Sequence, residues 1–144
     1  MTPVVWNHGP IPVLEEALNE AKNTKDWFEA MLYSAIYLEK YGYLSIKNYL
    51  ESLKVNPKLC KKILHRIKLR RINDYLLSVD IINKQEFDII KTIAEERNKF
   101  VHRKEDRKYL IGTKASQLYE HLVMEAIRIL KEKLNAVKLF AYKL

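Results

Sequence analysis

Apolar residues recur every three or four positions along most of the chain, which is the period of an amphipathic α-helix. Trp27, Met31, Ala35 and Leu38 form one such series. Residues that interrupt helices are rare: the chain has three glycines and four prolines, and three of the prolines lie in the first twelve residues. The pattern therefore predicts an all-α protein with an irregular N-terminal arm over residues 1–12.

Turn residues and capping signals divide this pattern into four or five helices. Asn83 followed by Glu86 is a capping box, and Pro57 suits the first turn of a helix whose residues Leu59, Ile63 and Ile67 share one apolar face. The predicted helices cover Val13 to Asn23, Asp26 to Leu53 (one bent helix or two around Gly42), Pro57 onward, Asn83 to about Val101, and about Lys114 onward. Helices of these lengths pack as an antiparallel four- to five-helix bundle, and 144 residues suit a single domain.

The net charge of +8 is concentrated in one segment. Between Ser52 and Asn73 there is no acidic residue, and the segment contains the basic residues Lys54, Lys58, Lys61, Lys62, Arg66, Lys68, Arg70 and Arg71. A local basic field attracts polyanions, so these side chains are candidate RNA-binding residues. The alternative is an ordinary solvated helix face, since charge runs alone say little about the partner.

The segment from Glu95 to His102 departs from its own helical pattern. If residues 87, 90 and 94 face inward, the next inward position is Arg97, where an aliphatic side chain is expected. A buried guanidinium needs a carboxylate, an interface or an anionic ligand. With seven arginines, four histidines and nine asparagines, an Arg-Asn-x3-His match such as Arg97-Asn98-x3-His102 is expected roughly 0.01 times by chance.

This motif, near the end of a capped helix in a helical chain, resembles the signature of the HEPN superfamily (higher eukaryotes and prokaryotes nucleotide-binding domains). The resemblance covers the architecture of most of the chain, but the motif only over residues 95–102. It implies a metal-independent endoribonuclease, a toxin or antiviral effector, that works as a homodimer with two motifs facing one cleft. By position, Arg97, Asn98 and His102 would be catalytic, and Glu95 or Glu96 would support them.

One subgroup of that family, the partners of minimal nucleotidyltransferases, carries a tyrosine two residues after the histidine. This chain has Lys104 there, which weakens the link to that subgroup and leaves the ribonuclease interpretation untouched. An antitoxin protein is a further partner that the resemblance implies.

The three motif residues also suit RNA cleavage on chemical grounds. When a 2′-hydroxyl attacks the adjacent phosphate, a group must accept its proton and a cation must stabilise the phosphorane. The imidazole of His102, with an ordinary pKa of about 6.5, can transfer the proton. Arg97 offers a permanent cation with a donor fork that matches phosphate oxygens, and Asn98 can orient either group. We expect no metal and no cofactor, because the four histidines show no ligand spacing.

Two other function classes stay open. The chain could be a non-catalytic HEPN-like module that binds RNA, a nucleotide or a protein, or a helical interaction protein in which Arg97 and His102 are structural. A stripe of tyrosines at positions 33, 37 and 41 could stack bases, although such stripes more often belong to a core. The first residues do not resemble a signal peptide, and no uncharged stretch reaches the about 20 residues of a membrane span. We therefore expect a cytoplasmic protein.

Overall fold

Helices make up most of the chain that the computed structural model describes, which is residues 9–102 and 113–136, with the backbone alone at 100–102 and 113–115. This part of the chain contains six helices and no strand, so the all-α prediction is confirmed. The helices are α1 (Pro10–Thr24), α2 (Phe28–Ser52), α3 (Pro57–Leu64), α4 (Leu69–Ser78), α5 (Lys84–His102) and α6 (Thr113–Glu132).

The longest helix, α2, is the centre of the bundle and contacts all five of the others. On one side of it α1 packs against α6, on the other α4 packs against α5, and α5 also contacts α6. Trp27, just before α2, is fully buried, and its indole Nε1 donates a 3.0 Å hydrogen bond to Ser116 Oγ on α6. A buried indole needs such an acceptor, so this bond fixes the start of α2 against α6.

Gly42 lies inside α2, which continues through it as one helix rather than two. The glycine allows α4 to approach α2 closely: a Cβ atom at this position would lie 2.7 Å from Cγ2 of Ile72 and 3.3 Å from Cδ1 of Leu76. The β-branched Ile72 is fully buried and has little freedom to move away. Gly42 is therefore a packing residue at the contact between α2 and α4, and not a helix breaker.

The first helix begins at Pro10, three residues before the predicted start at Val13. The first N–H groups of a helix have no acceptor within it, so proline, which lacks an N–H, is well accommodated there. Residues 10–12 thus belong to α1 and not to the predicted arm. Residues 1–8 of that arm lie outside the described part of the chain.

The chain from Pro57 to Ser78 forms two short helices, α3 and α4, which raises the helix count above the predicted four or five. Asn56 caps α3 by accepting a 2.8 Å hydrogen bond from the N–H of Lys58, and a residue with φ of 51°, Arg66, lies in the turn to α4. The prediction that Leu59 and Ile63 lie on the packed face of α3 is wrong, because these two residues are 49% and 37% exposed. Within the described bundle α3 makes its main contact with α2, and it does so through its other face, where Cys60 and Leu64 are buried.

The predicted capping box at the start of α5 is confirmed in both directions. The N–H of Glu86 donates to Asn83 Oδ1, and the N–H of Asn83 donates to Glu86 Oε1, both at 2.8 Å. The carboxylate of Glu86 is 1% exposed and also contacts Arg128 at 3.1 Å and Lys133 at 3.6 Å, near the end of α6. These contacts fix where α5 begins and therefore which of its later residues face α2.

Among the six described helices, none combines the length and the apolar composition that a membrane span requires.

Candidate functional site

Arg97 lies on the side of α5 that faces α2. Two turns of α5 before it bury Ile90, Ile93 and Ala94 completely, and the same phase turns Arg97 inward, where its side chain is 21% exposed. Its Nη1 lies 3.4 Å from Oε2 of Glu39 on α2. The predicted inward phase is thus confirmed as a half-buried position, and the carboxylate that the guanidinium needs comes from another helix.

Asn98 follows Arg97 and is half-buried as well. The backbone of α5 extends to His102, so both ends of the motif belong to one helix. Five residues along an α-helix correspond to a rise of about 7.5 Å and a rotation of about 140°. The side chain of His102 lies outside the described residues, and so does Lys104. The described side chains of the motif are therefore those of Arg97 and Asn98.

The two glutamates that precede Arg97 face other neighbours. Glu95 lies 3.9 Å from Nη2 of Arg70 on α4, and both side chains are well exposed. Glu96 accepts hydrogen bonds from the hydroxyl of Tyr119 on α6 at 3.1 Å and from Lys99 Nζ at 3.3 Å. Successive helical residues are rotated by about 100°, so neighbours in sequence point to different helices. In the described structure the carboxylates of Glu95 and Glu96 contact α4 and α6, and neither forms a hydrogen bond or salt bridge with Arg97.

Tyr119 is only 6% exposed, and its environment favours the neutral phenol. Burial raises the pKa of Tyr119 well above its usual range, and the adjacent carboxylate of Glu96 adds to the effect by its charge and by its hydrogen bond. The contact ties the second half of α5 to α6. Tyr119 is thus a structural support of the motif helix that the sequence pattern did not predict.

The predicted basic surface is present: all eight side chains from Lys54 to Arg71 are exposed. They lie on α3, on α4 and in the turns before each of these two helices. Of these, Arg70 contacts a carboxylate, that of Glu95, over a distance at which an exposed pair contributes little. The basic field is therefore directed toward solvent beside the second half of α5.

The tyrosine stripe on α2 lies along the bundle. The ring centroids of Tyr33 and Tyr37, and those of Tyr37 and Tyr41, are 6.4 Å apart, the ring planes are tilted by 40° and 45°, and Tyr41 is buried. Burial is the main cause that raises the pKa of Tyr37 and Tyr41, while a hydrogen bond with Glu29 is the main cause for Tyr33. These rings pack against the core more than they offer a surface for stacked bases.

A groove of about 460 Å³ lies beside Arg97. Its apolar lining includes Ile36 and Leu44 from α2 and Ile67 from the turn between α3 and α4. Ile67 stands between Arg66 and Lys68 in the chain, so one end of the groove opens next to the basic surface. The volume falls within the about 300–1,000 Å³ of pockets that hold small molecules.

The polar lining of this groove consists of charged groups of both signs and an aromatic residue. Glu39 and Arg97 contribute their ion pair, and Tyr43 contributes a ring. Lys40 also lines the groove, and its Nζ lies 5.6 Å from the centroid of the Tyr41 ring. The Glu39 side chain is 33% exposed, and only its Oε2 contacts the guanidinium. The arrangement can bind a flat ligand that carries both hydrogen-bond donors and a negative charge.

Glu39 is the main site residue that sequence reasoning missed. It lies 58 positions from Arg97, and no local spacing distinguishes it from the other acidic residues. Only its helical phase could have indicated its position, because Glu39 follows Leu38 at the edge of the buried face of α2.

No group of three or more His, Cys, Asp or Glu side chains arranged to hold a metal ion occurs in the described part of the chain. Comparison with models of protein families, with characterised proteins and with solved structures finds no match to this chain.

Proposed function

We propose that this protein is a HEPN-like, metal-independent endoribonuclease that acts as a toxin or antiviral effector. Arg97 stabilises the charge of the phosphorane, His102 transfers the proton of the 2′-hydroxyl, and Asn98 orients one of them. RNA reaches the motif along the exposed basic residues of α3 and α4. By the same resemblance the working unit is a homodimer, with an antitoxin as a protein partner.

The observation that carries the proposal is the position of Arg97. A half-buried guanidinium in the second half of α5, beside a groove that Ile67 between the exposed Arg66 and Lys68 also lines, is a costly arrangement for a purely structural residue. Its single contact with Glu39 at 3.4 Å engages one of the guanidinium nitrogens. The fork can therefore engage a phosphate oxygen while the ion pair holds the side chain in place.

The same ion pair also fits the rival interpretation, in which Arg97 only joins α5 to α2. A non-catalytic module that binds RNA through the same basic surface is the second rival. The rivals differ in what happens to RNA: a structural protein neither binds nor cuts it, and a binding module retains it intact.

RNA cleavage tests the proposal directly. The purified protein is expected to cut a single-stranded RNA and to leave DNA of the same sequence intact, because only RNA has the attacking hydroxyl. Cleavage should survive EDTA and produce a 2′,3′-cyclic phosphate or its hydrolysis product. Arg97→Ala and His102→Ala should each lower the rate by about 10²–10⁴-fold.

Two exposed residues of α6 provide matched controls, His121→Ala for the imidazole and Lys131→Ala for the cation. Both variants should cut RNA at the normal rate. Activity that survives in Arg97→Ala and His102→Ala, or that depends on added magnesium, would contradict the proposal.

A further inference from the structure

We infer that the groove between α2, α4 and Arg97 is a binding site for a guanine base, with Glu39 as the residue that recognises it. The inference deepens the proposed function, because it assigns a base preference to the same site. It rests on the donors and acceptors that line the groove.

The recognition argument starts from the carboxylate of Glu39. Its Oε1 makes no hydrogen bond to the described residues, while Oε2 contacts Arg97. An ionised carboxylate only accepts hydrogen bonds, and its two oxygens accept from a pair of adjacent donors. Guanine is the one common RNA base with two adjacent donors, its ring N1–H and its 2-amino group. On the corresponding edges of adenine, cytosine and uracil an acceptor adjoins the donor, and the carboxylate would repel it.

The guanidinium next to Glu39 complements the remaining part of that edge. Guanine carries its O6 acceptor beside N1–H, and Arg97 lines the same groove as Glu39. A base that donates to Glu39 can therefore place O6 near a cation. One carboxylate beside a guanidinium matches the donor, donor, acceptor order of guanine.

The rest of the lining suits the faces of a flat base. Tyr43 provides an aromatic side chain, and bases of any sequence stack on such rings. Ile36 is 44% exposed and adds apolar surface to the same groove. A bound base would cover both residues.

The test measures binding of the four nucleoside monophosphates by calorimetry, without RNA cleavage. All four carry the same phosphate, so differences between them report the base. Guanosine monophosphate is expected to bind about 10- to 100-fold more tightly than the other three, as for a bidentate contact to a base edge. Glu39→Gln should remove this preference, because its amide presents a donor to a guanine donor and suits adenine better. Tyr43→Leu should weaken all four by a similar factor.

Glu51→Gln is the matched control, since Glu51 is exposed near the end of the same helix and lies outside the groove. It should bind all four nucleotides as the unmodified protein does, and both glutamine variants should show helical circular dichroism with cooperative melting. If Glu39 only positions Arg97, Glu39→Gln would weaken the four nucleotides equally, and the inference would be wrong. Equal binding of the four bases by the unmodified protein would also overturn it.

The nucleotide and cleavage experiments fail in different ways. Guanine-selective binding without RNA cleavage would support the base site and reject the ribonuclease. Cleavage that requires Arg97 and His102, yet shows no preference for guanosine next to the cut, would support the ribonuclease and reject the base site.

Discussion

The two ends of α5 differ in how many partners their buried or half-buried charged side chains have. At the first turn, Glu86 is 1% exposed, accepts a backbone hydrogen bond from Asn83 and contacts both Arg128 and Lys133. Near the last turns, Arg97 is 21% exposed and has one carboxylate contact among the described residues, at 3.4 Å. The first end is saturated with partners, whereas at the second end the described residues leave donors of a half-buried cation without an acceptor.

The network of ion pairs around Glu86 at the first end of α5 includes two further carboxylates. Arg128 also contacts Glu125 and Glu132, each at 3.0 Å, and the hydrogen bonds that it donates to these carboxylates raise the pKa of Arg128. A network in which each charge has several partners favours one conformation and leaves little capacity for a ligand. The start of α5 therefore has the contacts of a structural element, whereas its second half carries the residues of the site proposed above.

The largest expected effect on stability comes from Glu86→Ala. The substitution removes the capping acceptor and leaves Arg128 and Lys133 with fewer partners. We expect a loss of about 2–4 kcal/mol in the free energy of unfolding, below the about 3–5 kcal/mol of a fully buried pair because Arg128 keeps two carboxylates. Urea unfolding followed by circular dichroism measures it.

Asp88→Ala is the control for Glu86→Ala. Asp88 lies in the same part of α5 and pairs with Lys84 at 3.1 Å, but both side chains are exposed. The loss should therefore stay below about 1 kcal/mol. Similar losses in the two variants would mean that burial of Glu86 does not distinguish this end of α5.

A smaller effect is expected at Tyr119, which ties the second half of α5 to α6. Tyr119→Phe removes the hydrogen bond to Glu96 and should cost about 1–3 kcal/mol at neutral pH. Because folding raises the pKa of Tyr119, the folded state retains a proton that the unfolded state loses above about pH 10. The stability this provides is complete below that pH and is lost as the pH rises toward the folded-state pKa.

Unfolding of both proteins between pH 7 and 11 checks the sign of this effect. The advantage of the unmodified protein over Tyr119→Phe should shrink above about pH 10. The other tyrosines with raised pKa values are present in both proteins, so they cancel in the difference. A constant or growing advantage would mean that Tyr119 ionises as readily in the folded state as in the unfolded state.

The contrast between the two ends of α5 also shows what the sequence could predict. The capping box of Asn83 and Glu86 is a local signal over three residues, and periodicity alone placed Arg97 on an inward face. Partners from distant helices had no such signal: Glu39 for Arg97 and Arg128 for Glu86 depend on how the helices pack. The same limit explains why the wrong face of α3 was predicted to be buried. Apolar residues lie on two faces of this short helix, and contacts with other helices bury Cys60 instead of Leu59.

The smallest expected effect on stability is at the pair that the proposed chemistry needs most. Arg97 and Glu39 are both partly exposed and joined by one contact at 3.4 Å, so a double-mutant cycle of Arg97→Gln and Glu39→Gln should give a coupling of about 0–1 kcal/mol. If Arg97 is catalytic, the same Arg97→Gln protein should lose RNA cleavage by about 10²-fold or more while it melts almost normally. A residue kept for folding would show the reverse, with a large loss of stability and no separate loss of function. A coupling well above 1 kcal/mol, measured by urea unfolding of the four proteins, would therefore make the second end of α5 as structural as the first.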